Sequence, residues 1–134
     1  MIRPTHQGLR HLALNVRQLS AMKTFYVDVL GFRVEWEPDP DNVYLTSGVD
    51  NLALHRATEG EAGAAGGAGA LDHLGLIVAA AADVDAWAAH LEACGVALDM
   101  PPTTHRDGAR SCYCRDPDGN RVQIMHHPPI SGTV

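Results

Sequence analysis

No run of this chain approaches the roughly 20 consecutive apolar residues that a membrane-spanning helix needs. Met1-Ile2-Arg3-Pro4 leads into no apolar stretch either, so neither a membrane segment nor a secretory leader is expected. Basic residues are few: 10 Lys and Arg against 16 Asp and Glu leave a net charge of -6. A nucleic-acid partner would want a clustered basic face, and that class is set aside. Cysteine is sparse and odd in number. Cys94, Cys112 and Cys114, with no export signal, read as reduced thiols of a cytoplasmic protein. Cys112-Tyr113-Cys114 puts two thiols on one strand face, where neighbours rarely have disulfide geometry. A CxC metal pair lacks a second cysteine pair, so burial as small side chains is the expectation. Aromatics make up only 5%, too few to announce an aromatic-stacking cavity. Apolar residues are not lacking. At 46% of 134 residues, with 19% charged, they suffice for one folded domain with a sizeable core.

What is present twice is a short pattern, 62 positions apart. His11-Leu12-Ala13-Leu14-Asn15-Val16 answers to His73-Leu74-Gly75-Leu76-Ile77-Val78. Side chains in a strand alternate faces with period two. Each copy therefore carries one histidine away from the leucine and valine face that packs on a helix. Two equivalent imidazoles on two equivalent strands are candidates for convergence on one metal ion.

The elements around each copy also repeat. Leu19, Met22, Phe25, Tyr26, Val29 and Leu30 form one helical stripe, with Ser20 as the expected N-cap and Gly31 as a left-handed terminator. Strands follow at 32–36, 43–46 and 51–56, with a turn cluster at 38–42. In the second half a strand at 71–78 precedes a helix from about Asp83, carrying Val84, Trp87, Ala88, Leu91 and Cys94 on one stripe and ending at Gly95. Strands follow at 96–100, 109–114 and 121–126. Pro101-Pro102 starts a loop, and Asp116-Pro117-Asp118-Gly119-Asn120 is a hairpin-turn signal. Phe25, Tyr26, Trp36 and Trp87 are read as core.

The fold class is thus α+β: two tandem βαβββ modules, at about 8–58 and 71–128. A Gly/Ala linker at 59–70 joins them, and a tail at 129–134 is unstructured. One such module cannot bury its exposed sheet face. Two curved mixed sheets side by side would enclose a shared cleft, a natural place for a small-molecule ligand.

The strands HLALNV and DHLGLIV, the segment FYVDVLGF and the closing YCRDPDGNRVQIM resemble the vicinal oxygen chelate superfamily of glyoxalases, bleomycin resistance proteins and extradiol dioxygenases. The resemblance covers about residues 8–128. It implies up to four metal ligands, one from the first and one from the last strand of each module. Carried over by position, these fall on His11, His73, Ala53 and Gln123, the last of them where the usual residue is a glutamate. Ala53 has no donor atom. His55 shares its strand face, and a shifted pairing would bring His55 inward instead. The implied cofactor is a divalent ion (Zn, Ni, Mn or Fe) that binds neighbouring oxygens of a substrate and stabilises developing negative charge.

Two readings stay open. One is a metal-dependent lyase, isomerase or dioxygenase acting on a small oxygenated molecule, with His11, His73 and Gln123 or His55 as ligands. The other is a metal-free binding protein of the bleomycin-resistance kind with a degenerate metal site. Gln123 cannot be a general base, which disfavours glyoxalase-type proton transfer. Tyr44, Arg110 and Tyr113 are candidates for substrate contact, ranked after the histidines. His6, His105, His126 and His127 carry no motif and read as loop or strand-end residues. The family often dimerises, so a homodimer is expected.

Overall fold

A computed structural model describes residues 1–58 and 69–132. The chain divides into two compact units, Met1–Thr58 and Glu59–Val134. Most of the expected linker, residues 59–68, lies outside the described residues, as do 133–134.

In the first unit β1 (His11–Val16) leads into α1 (Leu19–Thr24), which continues as a π-helical turn over Phe25–Val29. β2 (Arg33–Asp39), β3 (Asn42–Thr46) and β4 (Asn51–Arg56) follow. The sheet order is β1-β4-β3-β2, with β1 and β4 parallel and the other pairs antiparallel. In the second unit β5 (Leu74–Ile77), α2 (Ala81–Ala93), β6 (Leu98–Thr104), β7 (Arg110–Arg115) and β8 (Arg121–His126) repeat that plan. Their order is β5-β8-β7-β6, again with the first and last strands parallel. The expected architecture of two βαβββ modules with mixed four-stranded sheets is what the chain forms.

Each sheet has an apolar face turned to its helix. Leu14 and Val16 of β1, Val43 and Leu45 of β3, and Leu52 and Leu54 of β4 are buried with Leu19, Met22, Phe25 and Tyr26. In the second unit Cys112, Cys114, Val122 and Ile124 are buried with Val84, Ala88 and Leu91 of α2. Burial of such side chains contributes about 1.5–3 kcal/mol each, upper figures because the unfolded chain already hides some of this area. The paired thiols are therefore core residues. Cys94 ends α2 on the surface, although it falls on the helix's apolar stripe.

Several element ends differ from the sequence reading. Ser20 does not cap α1: its N-cap is Gln18, with no side-chain capping bond. The helix widens before it ends, because Leu30 N–H donates to Phe25 O (3.1 Å) and Phe32 N–H to Tyr26 O (2.9 Å). Gly31 and Gly95 do terminate their helices, at φ +81° and +78°, a backbone conformation that glycine adopts without a Cβ clash. α2 starts at Ala81, and Asp83 sits inside its first turn, its carboxylate accepting from Ala80 N–H. β2 and β6 run through Pro38 and Pro101-Pro102. Both are edge strands, where a residue without an N–H costs no ladder bond on the outer side. β5 begins at Leu74, later than expected, so His73 stands just before it. The tail is not wholly unstructured: Ser131 N–H donates to His127 O and His127 N–H to Ser131 Oγ. Trp36 is not core. It lies on edge strand β2, 59% exposed.

The Asp116–Asn120 turn behaves as its composition demands. The buried Asp116 carboxylate accepts from the N–H groups of Asp118 (3.0 Å) and Asn120 (2.9 Å) and from Asn120 Nδ2 (2.9 Å). Removing a buried acceptor leaves its donors unsatisfied, at about 1–3 kcal/mol. Asp116→Ala should lower unfolding free energy in urea by that amount. A change under about 0.5 kcal/mol would show that the carboxylate does not hold the turn.

Candidate functional site

The face of each sheet opposite its helix carries the chemistry-bearing residues, and strand register sets them in rows. In the first unit His11 stands beside Asn51, Ala13 beside Ala53, and Asn15 beside His55. Antiparallel pairing extends these rows from Ala53 to Tyr44 and on to Trp36, and from His55 to Asn42 and on to Asp39. In the second unit Gly75 stands beside Gln123, Gln123 beside Tyr113, and Tyr113 beside Met100. The two central rows correspond: Ala13-Ala53-Tyr44-Trp36 and Gly75-Gln123-Tyr113-Met100. β1 and β4 pair without a register shift. Ala53, fully buried, therefore holds the position matched to Gln123, and His55 lies one row further on the same face. The shifted pairing that would have substituted His55 does not occur.

Three histidines on these faces are fixed in the same way. His11 Nδ1 lies 2.7 Å from Asn51 Oδ1, and Asn51 Nδ2 donates to Glu35 Oε2 at 2.7 Å. His55 Nδ1 lies 2.6 Å from Asn42 Oδ1, and Asn42 Nδ2 donates to Asp39 Oδ1 at 2.9 Å. His73 Nδ1 lies 2.6 Å from Asp72 Oδ2. A carboxylate accepts only, so it turns each asparagine amide with its oxygen toward the imidazole. Nδ1 is then a protonated nitrogen in all three rings, and in the neutral ring Nε2 is the acceptor. The hydrogen bond from His73 holds the Asp72 carboxyl below the usual carboxylate range. Asp72 therefore stays an acceptor through neutral pH.

Both candidate tyrosines share these faces. Tyr44 is stacked on Trp36 (centroids 5.1 Å, 27°) and meets the His55 ring edge-on (5.7 Å). Tyr113 meets His73 edge-on (5.4 Å, 89°) and carries the Arg121 guanidinium over its ring at 4.4 Å. Arg110 does not join them. Three residues from Tyr113 on one strand, it points to the helix side and forms a bidentate pair with Asp85 of α2 (2.6 and 2.9 Å). That pair lowers the pKa of Asp85 and raises that of Arg110. His105 lies in a loop, as expected, and is fastened there: its Nε2 lies 2.8 Å from Oγ of the buried Ser111.

The repeat of Tyr44 and Tyr113 was legible, since each precedes a core residue in the third strand of its module. The partners of the histidines were not. Asn51 and Asn42 lie 40 and 13 residues from the rings they hold, and only the strand pairing joins them.

A family model, the Glyoxalase/Bleomycin resistance protein/Dioxygenase superfamily, matches residues 8–124. The chain belongs to this superfamily. Among solved structures it is similar to lactoylglutathione lyase from Agrobacterium tumefaciens, at 26% identity over 92% of this chain and 96% of that one, TM-score 0.77. It is also similar to a glyoxalase/bleomycin resistance protein/dioxygenase from Alicyclobacillus acidocaldarius (19% identity, 90% and 92% covered, TM-score 0.71). A third relative is a virulence protein from Salmonella typhimurium (24% identity, 92% and 99% covered, TM-score 0.68).

Superfamily members commonly use a divalent metal, and the residues present fit that group poorly. Among the described residues no three His, Cys, Asp or Glu side chains are grouped to hold an ion. The matched last-strand positions offer Ala53, with no donor atom, and the neutral amide of Gln123, a weak ligand for nitrogen-preferring ions. No carboxylate stands at either position to offset an ion's charge.

Burial pushes the Cys114 thiol up to about 12 and raises Cys112 as well. Raised thiols stay protonated and unreactive. Iodoacetamide at pH 8 should label Cys94 in the folded protein and reach Cys112 and Cys114 only after unfolding, read by peptide mass spectrometry. Modification of Cys112 or Cys114 in the native state would contradict this packing.

Proposed function

We propose that this superfamily member binds a small oxygenated organic molecule on the helix-free sheet faces, through hydrogen bonds and without a resident metal ion. The observation that carries the reading is the common tautomer of His11, His55 and His73. Each presents an Nε2 lone pair, which accepts a hydrogen bond from a ligand hydroxyl. Tyr44 and Tyr113 add phenolic groups that both donate and accept. Fixed acceptors of this kind reward a polyhydroxylated or hydroxy-carbonyl ligand, because little side-chain freedom is lost on binding. Two features speak against the family's metal-assisted proton transfer. Ala53 removes one ligand outright, and Gln123 can neither compensate an ion's charge nor take a proton. The role that follows is binding or sequestration, the class to which bleomycin resistance proteins belong. No helix among the described residues is long and apolar enough to cross a membrane.

Metal content decides between this reading and the metal-dependent one. Protein purified without an affinity tag should carry Zn, Ni, Mn and Fe far below one ion per chain. Chelation should leave its melting temperature unchanged. A stoichiometric ion in the wild-type chain that disappears from the His11→Ala/His73→Ala variant, with that variant still folded, would overturn the proposal.

A further inference from the structure

Gln123 is buried to all but 7% of its surface, at the middle of the second unit's helix-free face. Its carboxamide has two N–H donors and an oxygen with two lone pairs. Among the described residues none of these is paired with a protein group. Native structures rarely leave such a group unsatisfied. The amide is not sealed either. The side-chain polar atoms that are sealed and lack a hydrogen-bond partner, again among the described residues, are Arg121 Nε, His126 Nδ1 and His127 Nδ1. Gln123 is thus sunk in the sheet with its amide tip open.

Its surroundings shape that opening. On one side stands Gly75, the register partner on β5. A Cβ there would lie 3.7 Å from Gln123 Oε1, in van der Waals contact, so the missing side chain leaves that flank of the amide uncovered. On the other side stands Tyr113, its partner on β7. Arg121 above the ring and His73 at its edge fix Tyr113 as a flat wall.

We infer that the exposed Gln123 amide, flanked by Gly75 and Tyr113, recognises a ligand group that carries a hydrogen-bond donor and acceptor side by side: a carboxamide, lactam or imide. Such a group forms two parallel hydrogen bonds with the glutamine amide, one in each direction. A carboxylate can only accept, and an ester or lactone has no donor. The glutamate that the family pattern expects here could not donate at all, so the amide changes what the face selects. The matching first-unit residue, Ala53, offers no second copy of this group. The inference rests on the small-molecule binding reading above and names its substrate class.

The test uses the full chain, isotope-labelled, with 2-pyrrolidinone as probe and γ-butyrolactone as the isosteric ring without an N–H. The lactam should shift the Gln123 side-chain NH2 resonances saturably and bind roughly tenfold tighter than the lactone, the weight of one added hydrogen bond. Gln123→Met, of similar length but without donor or acceptor, should abolish the preference. Gly75→Ala, which closes the open flank without backbone strain, should weaken lactam binding, with folding read from the dispersion of the same spectra. Equal binding of lactam and lactone by the wild-type chain, or lactam binding undiminished in Gln123→Met, would overturn the amide inference and leave the binding reading standing. Absence of any shift on either helix-free face with both probes would overturn the two together.

Discussion

The parallel pairing of the first and last strand in each module is the constraint on which the other features depend. In a strand ladder a one-residue slip moves every side chain to the opposite face. The register that sets Leu14 beside Leu54 and Leu76 beside Ile124 is fixed by the need to bury Leu14, Leu54 and Ile124 against a helix. That choice leaves no freedom on the other face. It places Asn51 beside His11, Ala53 beside Ala13 and Gln123 beside Gly75. The polar arrangement is a by-product of core packing, and it is as well determined as the core.

From that register follows the difference between the two modules. Both keep a histidine near the start of the first strand and a tyrosine in the central row. They differ at the last-strand position, where one has a methyl group and the other an amide. A carboxylate pair here would compensate a divalent ion. An alanine and a glutamine instead leave neutral hydrogen-bonding groups. The acceptors on the Nδ1 side of the imidazoles hold the rings in one orientation, which the proposed binding role uses.

Much of this was legible in the chain. The doubled HLALNV-type strand, the Asp116–Asn120 turn, the terminating glycines and the bounds of the first, fourth and last strands follow from period, turn chemistry and positive φ, all local properties. What failed to show was non-local. Pro38 and Pro101-Pro102 read as breaks because their strands' edge position is set by the sheet order. Trp36 read as core for the same reason. The choice between Ala53 and His55 was open, since both share a face and only the partner strand distinguishes them. Arg110 looked available until α2 brought Asp85 against it.

In the proposed binding role the sheet faces present Nε2 acceptors in one fixed tautomer. Long-range 15N–1H NMR of the imidazole nitrogens measures this directly in the free protein at neutral to mildly alkaline pH. His11, His55 and His73 should each show a protonated Nδ1 and an unprotonated Nε2, and Asn51→Ala should release His11 alone to the mixture of tautomers seen for a free imidazole. Protonated Nε2 in the wild-type rings, or an Asn51→Ala spectrum unchanged at His11, would contradict the account.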